Sequence, residues 1–193
     1  MFSEEHRSER IEKTGSGNEA EGITPQAFEQ DHGGIMSMGF SFVKTTVDSP
    51  DAEMLLEELN ETLTAILGHN GTAHVCLDDF HGDQGFFLVG HEEGIPVCCA
   101  GVRRVDGLTG EVKRVYARKN HHGTGTVLMK AVEDFARDAG YERLVLECRE
   151  DNPHAIGFYR RNGYVLCEKY PPYGNEADAV CMEKRLGDED GNH

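Results

Sequence analysis

The chain has 193 residues, with 35 acidic against 19 basic side chains and a formal charge of −16. That length suits one domain with tails, large enough to bury a core without a metal or disulfide staple. Residues 1–40 hold eight acids and three bases, residues 187–193 three acids and no base, which leaves −8 on the remainder. An acidic body disfavours phosphate backbones, so no nucleic-acid partner is expected. It suits cationic small molecules or a saline cytoplasm equally well. No apolar stretch reaches membrane-span length and no signal-peptide pattern opens the chain, so the expectation is a cytoplasmic protein with no membrane partner. The six cysteines form no C-x-x-C pair and read as free thiols.

In chain order, residues 1–38 read as a disordered acidic leader, with at best a short helix at Glu4–Lys13. The domain proper is expected over 39–186, followed by an acidic tail at 187–193. Phe40, Phe42 and Lys44–Val47 suggest a strand. Ser49–Pro50–Asp51 supplies an N-cap, a first-turn proline and a first-turn acid. Ala52, Leu55, Leu56, Leu59, Leu63, Ile66 and Leu67 then recur at helical spacing, predicting one buried face ended by Gly68.

Residues 69–84 read as loop, with a short turn around Val75–Phe80. Phe86–Val89, Ile95–Val105 and Glu111–Ala117 predict an antiparallel meander with turns at His91–Gly94 and Asp106–Gly110. A helix with Val127, Leu128, Ala131, Val132, Phe135, Ala136 and Ala139 on one face follows, closed by Gly140. Leu144–Cys148 predicts a strand, Pro153–Arg161 a helix, and Tyr164–Glu168 and Ala177–Lys184 the last two strands. The order β-α-βββ-α-β-α-ββ makes a mixed α/β (α+β) single domain. Its central sheet is mostly antiparallel, of six to seven strands, flanked by helices.

The chemistry concentrates at Asn120–His121–His122–Gly123–Thr124–Gly125–Thr126. A Gly-x-Gly loop opening a helix exposes backbone amides at the positive end of the helix dipole, a natural diphosphate site. No Gly-Lys-Ser/Thr follows, so this is no P-loop, and its place after a meander strand speaks against a dinucleotide fold. His121 and His122 are adjacent, and no histidine cluster shows converging zinc ligands, so no metal is expected.

These residues resemble the GCN5-related N-acetyltransferase superfamily, whose hallmark is Arg/Gln-x-x-Gly-x-Gly/Ala after a strand and opening a helix. Asn120 departs from the usual Arg or Gln. Glu111–Val112–Lys113–Arg114–Val115–Tyr116 looks like a Glu-Ile-Lys-Arg-Leu-Tyr strand of one bacterial, small-molecule-type branch. Asn152–Pro153–His154–Ala155 through Phe158–Tyr159 and Gly163–Tyr164 looks like that branch's Asn-x-x-Ala-x-x-Phe-Tyr segment. The resemblance spans about residues 40–186.

The resemblance implies acetyl-CoA as cofactor. Backbone groups of Val115 and Ala117 would pair with the pantetheine arm, amides of His121 to Thr126 would take the diphosphate, Asn152 would contact the arm, and Tyr116, Asn120 and Ala155 would also belong to the cofactor site. Tyr159 would protonate the departing sulfur as general acid. An alkylammonium must lose a proton before it attacks; Glu111 is the candidate base and Glu147 a weaker one. Cys148, with no histidine evidently placed to activate it, reads as a strand residue. Asp78, Asp79, Arg103, Glu147, Tyr170 and Tyr173 are candidate acceptor contacts, the acids suiting a cationic amine and Arg103 a carboxylate. The expected activity is acetyl transfer to a primary amine of a small molecule. A protein lysine or N-terminal acetyltransferase and a noncatalytic acyl-CoA sensor are the alternatives. Homodimers are common in the resembled family.

Overall fold

The structure, a computed structural model, describes residues 22–23, 39–82, 85–119 and 123–187. The strands are β1 (Gly22–Ile23), β2 (Phe40–Thr45), β3 (Gly85–Glu92), β4 (Ile95–Arg104), β5 (Thr109–Ala117), β6 (Arg143–Arg149), β7 (Val165–Leu166) and β8 (Ala179–Arg185). The helices are α1 (Pro50–Leu67), α2 (Thr124–Asp138) and α3 (Pro153–Arg161), with a 3-10 turn at Leu77–Phe80. One sheet holds all eight strands in the order β1-β2-β3-β4-β5-β6-β8-β7. Every neighbouring pair is antiparallel except β5 with β6.

Helices cover both faces. On one, Ala52, Leu55, Leu56 and Leu59 of α1 pack on Phe80, Phe87, Val89 and Cys99. On the other, Leu128, Met129, Val132, Phe135 and Ala136 of α2 close over Leu88, Ala100, Val102, Val112, Leu144 and Leu146, with Phe158 and Tyr159 of α3 against the same cluster. At roughly 25 cal/mol per Å² of apolar surface removed from water, such faces hold the layers together. Ser49 accepts from the Ala52 amide and Gly68 ends α1 in the left-handed conformation, as the cap residues predict.

Three expectations need correction. The buried stripe of α1 stops early: Ala52, Leu55, Leu56 and Leu59 are buried against the sheet, whereas Ile66 is 53% exposed. The strand expected over Tyr164–Glu168 pairs only at Val165–Leu166, whose side chains face solvent, while Tyr164 is buried in the core. An eighth strand, β1, adds to the sheet within the segment read as leader, Gly22 facing Val43 and Ile23 facing Phe42. The Glu4–Lys13 helix and Asn120–His122 lie outside the described residues.

Candidate active site

The site begins where the sheet comes apart. β5 and β6 pair through only Thr109↔Arg143, Gly110↔Leu144 and Glu111↔Val145. β5 runs on to Ala117 and β6 to Arg149. The split lies at the carboxyl ends of two parallel strands, where such sheets commonly hold ligands. A β-bulge helps to bend β5 there: Gly101 faces Lys113 but Cys99 faces Tyr116, and Arg114 takes φ 57°. Its guanidinium anchors the bulge by donating to the Asn70 carbonyl at 3.1 Å and to Asn60 Oδ1.

Helix α2 begins just beyond β5. Its N-cap is Gly123, with φ 83°, and among the described residues no side chain caps the helix. The start of a helix is the positive end of its dipole and suits an anion, although the Thr126 amide already donates to the Gly123 carbonyl at 3.0 Å. A Cβ placed on Gly123 would meet nothing within 4 Å among the described residues. Gly125 has a different reason to be glycine, since a Cβ there would lie 2.9 Å from the Phe158 ring. Thr124 is buried and Thr126 exposed. These residues fit the diphosphate of a coenzyme A.

Val115 and Ala117 lie past the split on the α2 face, where neither has a β6 partner. The Tyr116 side chain points the other way, its hydroxyl donating to Glu58 Oε2 at 3.0 Å. Glu58 also takes Arg118 Nε at 2.9 Å and Nη2 at 2.6 Å, pinning the chain as it leaves β5. On the far wall Asn152 Oδ1 accepts from the Ala155 amide at 3.1 Å, capping α3. Tyr159 is half-buried, edge-on to Phe158 and to Tyr164. Burial, with Cys148 and Glu147 nearby, pushes its phenol up, so it stays protonated at neutral pH. Burial pushes the Cys148 thiol up to about 12, which keeps it from acting as a thiolate.

Glu111 sits where the sequence reading did not expect it. It is fully buried, and its two oxygens are taken: Oε2 by Arg103 at 2.6 Å, Oε1 by the Tyr173 hydroxyl at 2.8 Å and the Tyr170 hydroxyl at 3.0 Å. A carboxylate so enclosed holds groups in place and has no free oxygen for an acceptor. Arg103 also binds Asp79 through Nη1 at 2.9 Å, so Asp79, Arg103, Glu111 and Tyr173 come together as one network; Asp78 stays exposed beside it. A cavity of about 360 Å³ adjoins the network, lined by Ala73, His74, Val75, Cys76, Arg103 and Pro172. His74 closes one side, 2.5 Å from Glu176.

Glu147 differs from Glu111. Its side chain is 11% exposed, and its nearest cation, Arg149 Nε, is 3.4 Å from Oε1. That contact is an ion pair without hydrogen-bond geometry, leaving Oε1 buried with no hydrogen-bond partner among the described residues. Burial raises this carboxyl above its ordinary range, against the pull of Arg149 and Lys113. The buried Lys113, the Arg114 bulge, the Glu58–Arg118 clamp and the His74–Glu176 pair escaped sequence reasoning. Each joins residues far apart in the chain, and no local pattern announces them.

Residues 52–164 match the Acetyltransferase (GNAT) family. The chain belongs to that family. It is 34% identical over 135 residues to the IAA acetyltransferase of Azospirillum brasilense, covering 68% of this chain and 88% of that one. It is 33% identical over 89 residues to N-alpha-acetyltransferase 30 of Schizosaccharomyces pombe, covering 45% of this chain and 59% of the relative. Among solved structures, a GNAT family acetyltransferase from Elizabethkingia anophelis with acetyl-CoA bound superimposes with TM-score 0.56 at 14% identity, covering 76% of this chain and 98% of that one. The last likeness speaks for the fold. As a GNAT acetyltransferase, the chain is an acetyl-CoA-dependent acyltransferase. No helix among the described residues is long and apolar enough to cross a membrane.

Proposed function

We propose that this GNAT enzyme acetylates a primary amine of a small molecule, with Glu147 as general base and Tyr159 as general acid. Bound acetyl-CoA supplies the thioester carbon that the amine attacks. Val115 and Ala117 of β5 offer backbone groups for the pantetheine arm, and the α2 start, Gly123 to Thr126, holds the diphosphate. Asn120, His121 and His122 complete that loop in the sequence. Asn152 and Ala155 bound the arm from α3.

The acceptor enters through the cavity lined by His74, Arg103 and Pro172. Glu147 Oε1 takes the ammonium proton, and the Tyr159 hydroxyl gives a proton to the departing sulfur. Glu111 keeps Arg103, Tyr170 and Tyr173 in position and is not the base. The observation that carries this reading is the contrast between the buried Glu111 and the mostly covered Glu147 on one face of the sheet. Every oxygen of Glu111 is bonded, whereas one oxygen of Glu147 makes no hydrogen bond among the described residues.

Likeness to N-alpha-acetyltransferase 30 keeps a protein N-terminus as the second reading. The cavity of about 360 Å³ favours a small acceptor. Release of free CoA thiol from acetyl-CoA, measured against polyamine, amino-acid and aminoglycoside panels and a peptide library, tests the proposal. Turnover with a small amine and none with peptides is expected; turnover with peptides alone would reverse the choice.

A further inference from the structure

The last paired residues across the split are Glu111 and Val145. Carried on by two residues, that register sets Lys113 of β5 against Glu147 of β6. These two are therefore the facing residues at the mouth of the split, one on each wall. Both lie on the acceptor side, within electrostatic reach of each other.

Lys113 is an unusual residue for that place. Its side chain is only 10% exposed, yet Nζ makes one hydrogen bond, donating to the Tyr173 hydroxyl at 2.5 Å, and lies 3.6 Å from Glu111 Oε1. Three N–H donors thus meet one hydrogen-bond acceptor and one longer ion contact. Burial favours the neutral amine and lowers its pKa, although Glu111 and Glu147 pull the other way. A desolvated lysine amine is a nucleophile. The same amine type is what the enzyme is proposed to acetylate.

We propose that Lys113 is an internal acetyl acceptor, modified by the enzyme's own acetyl-CoA when no amine fills the cavity. The inference rests on the function proposed above, because the thioester must lie in the split. An Nζ–C bond forms as the C–S bond breaks. The amine proton passes to the Glu147 carboxylate, the sulfur takes the Tyr159 hydroxyl proton, and solvent returns the proton from Glu147 to Tyr159. The net products are acetyl-lysine and free CoA thiol, with no redox change. Acetylation removes the cation between Glu111 and Glu147 and takes donors away from the Tyr173 hydroxyl. The modified enzyme is then slower toward external amines, so acetyl-CoA without acceptor turns the enzyme down.

Intact-mass spectrometry with peptide mapping, on purified protein before and after incubation with acetyl-CoA alone, tests this. The expected result is one acetyl group per chain on Lys113, formed more slowly in Tyr159→Phe and suppressed by excess amine substrate. Lys113→Arg, checked for an unchanged melting curve, should gain none. No mass gain, or acetyl groups spread over the exposed Lys44, Lys119, Lys130 and Lys169 without enrichment at Lys113, overturns the inference. Lys113 left unmodified by acetyl-CoA alone, in a preparation that releases thiol once an amine is added, overturns this inference alone. Absence of thiol release with every amine tested counts instead against the function proposed above.

Discussion

Gly125 of α2 and Phe158 of α3 meet so closely that a Cβ on the glycine would lie 2.9 Å from the Phe158 ring and 3.1 Å from its tip. The second glycine of the Gly-x-Gly loop therefore fixes the distance between the two helices that flank the split. Gly125→Ala should lower stability by about 1–3 kcal/mol through overpacking. Gly123→Ala meets no neighbour among the described residues but must hold φ 83°, at a cost of about 1–2 kcal/mol. Thermal melts of both variants check the pair. Adding Phe158→Leu should recover part of the Gly125→Ala loss and none of the Gly123→Ala loss.

The Glu58 clamp on Arg118 and Tyr116 should act on the cofactor side. Glu58→Gln should raise the acetyl-CoA KM several-fold with little change in acceptor KM, because the chain leaves β5 through Arg118. Glu58 is partly exposed, so the stability lost should be only about 1 kcal/mol. Its Arg118 hydrogen bonds hold the folded carboxyl below its usual value. The clamp's contribution is thus present above the unfolded carboxylate pKa and fades as pH falls through the folded one. Melts in acid should show wild type and variant converging.

Base catalysis requires ionised Glu147. Burial lifts its carboxyl, so the rate should fall with acidity at a pH above the ordinary carboxylate range. Glu147→Gln should erase that limb from the kcat profile and lower kcat by about 10²–10⁴-fold. Glu111→Gln should keep the limb and raise acceptor KM, since its neighbours Arg103, Tyr170 and Tyr173 lose their anchor. A limb that disappears in Glu111→Gln and survives in Glu147→Gln would exchange the two roles.

Tyr159→Phe keeps the ring packing against Phe158 and Tyr164 and removes one proton donor. Its kcat should drop by about 10²-fold or more while the acetyl-CoA KM stays near wild type. Stopped assays with free-thiol detection give both numbers. An unchanged kcat would remove Tyr159 from the proton path.

Much of the fold was legible because its signals are local. The Ser49–Pro50 cap, the stripe Ala52–Leu59 and the meander turns each rest on a few neighbouring residues. The Gly-x-Gly start of α2 was legible for the same reason, although Phe158 as the cause of Gly125 was not. The enclosure of Glu111 was hidden, since Arg103, Tyr170 and Tyr173 reach it from strands and turns 8, 59 and 62 positions away. An alternating strand pattern cannot say whether a glutamate at its start faces water or a ring of donors. The short pairing of β7 was hidden as well, because Tyr164 turns into the core before the edge strand forms.

The central claim is that the start of α2 holds the negative end of acetyl-CoA beside the β5–β6 split. Calorimetric titration of acetyl-CoA into wild type and Gly123→Asp, at equal salt, tests it most directly, since aspartate tolerates the left-handed conformation and brings a negative charge to the site. Wild type should bind one acetyl-CoA per chain, and the variant, its melting curve showing it folded at the titration temperature, at least about tenfold more weakly, or ~1.4 kcal/mol. Equal affinity in the two proteins would contradict the account.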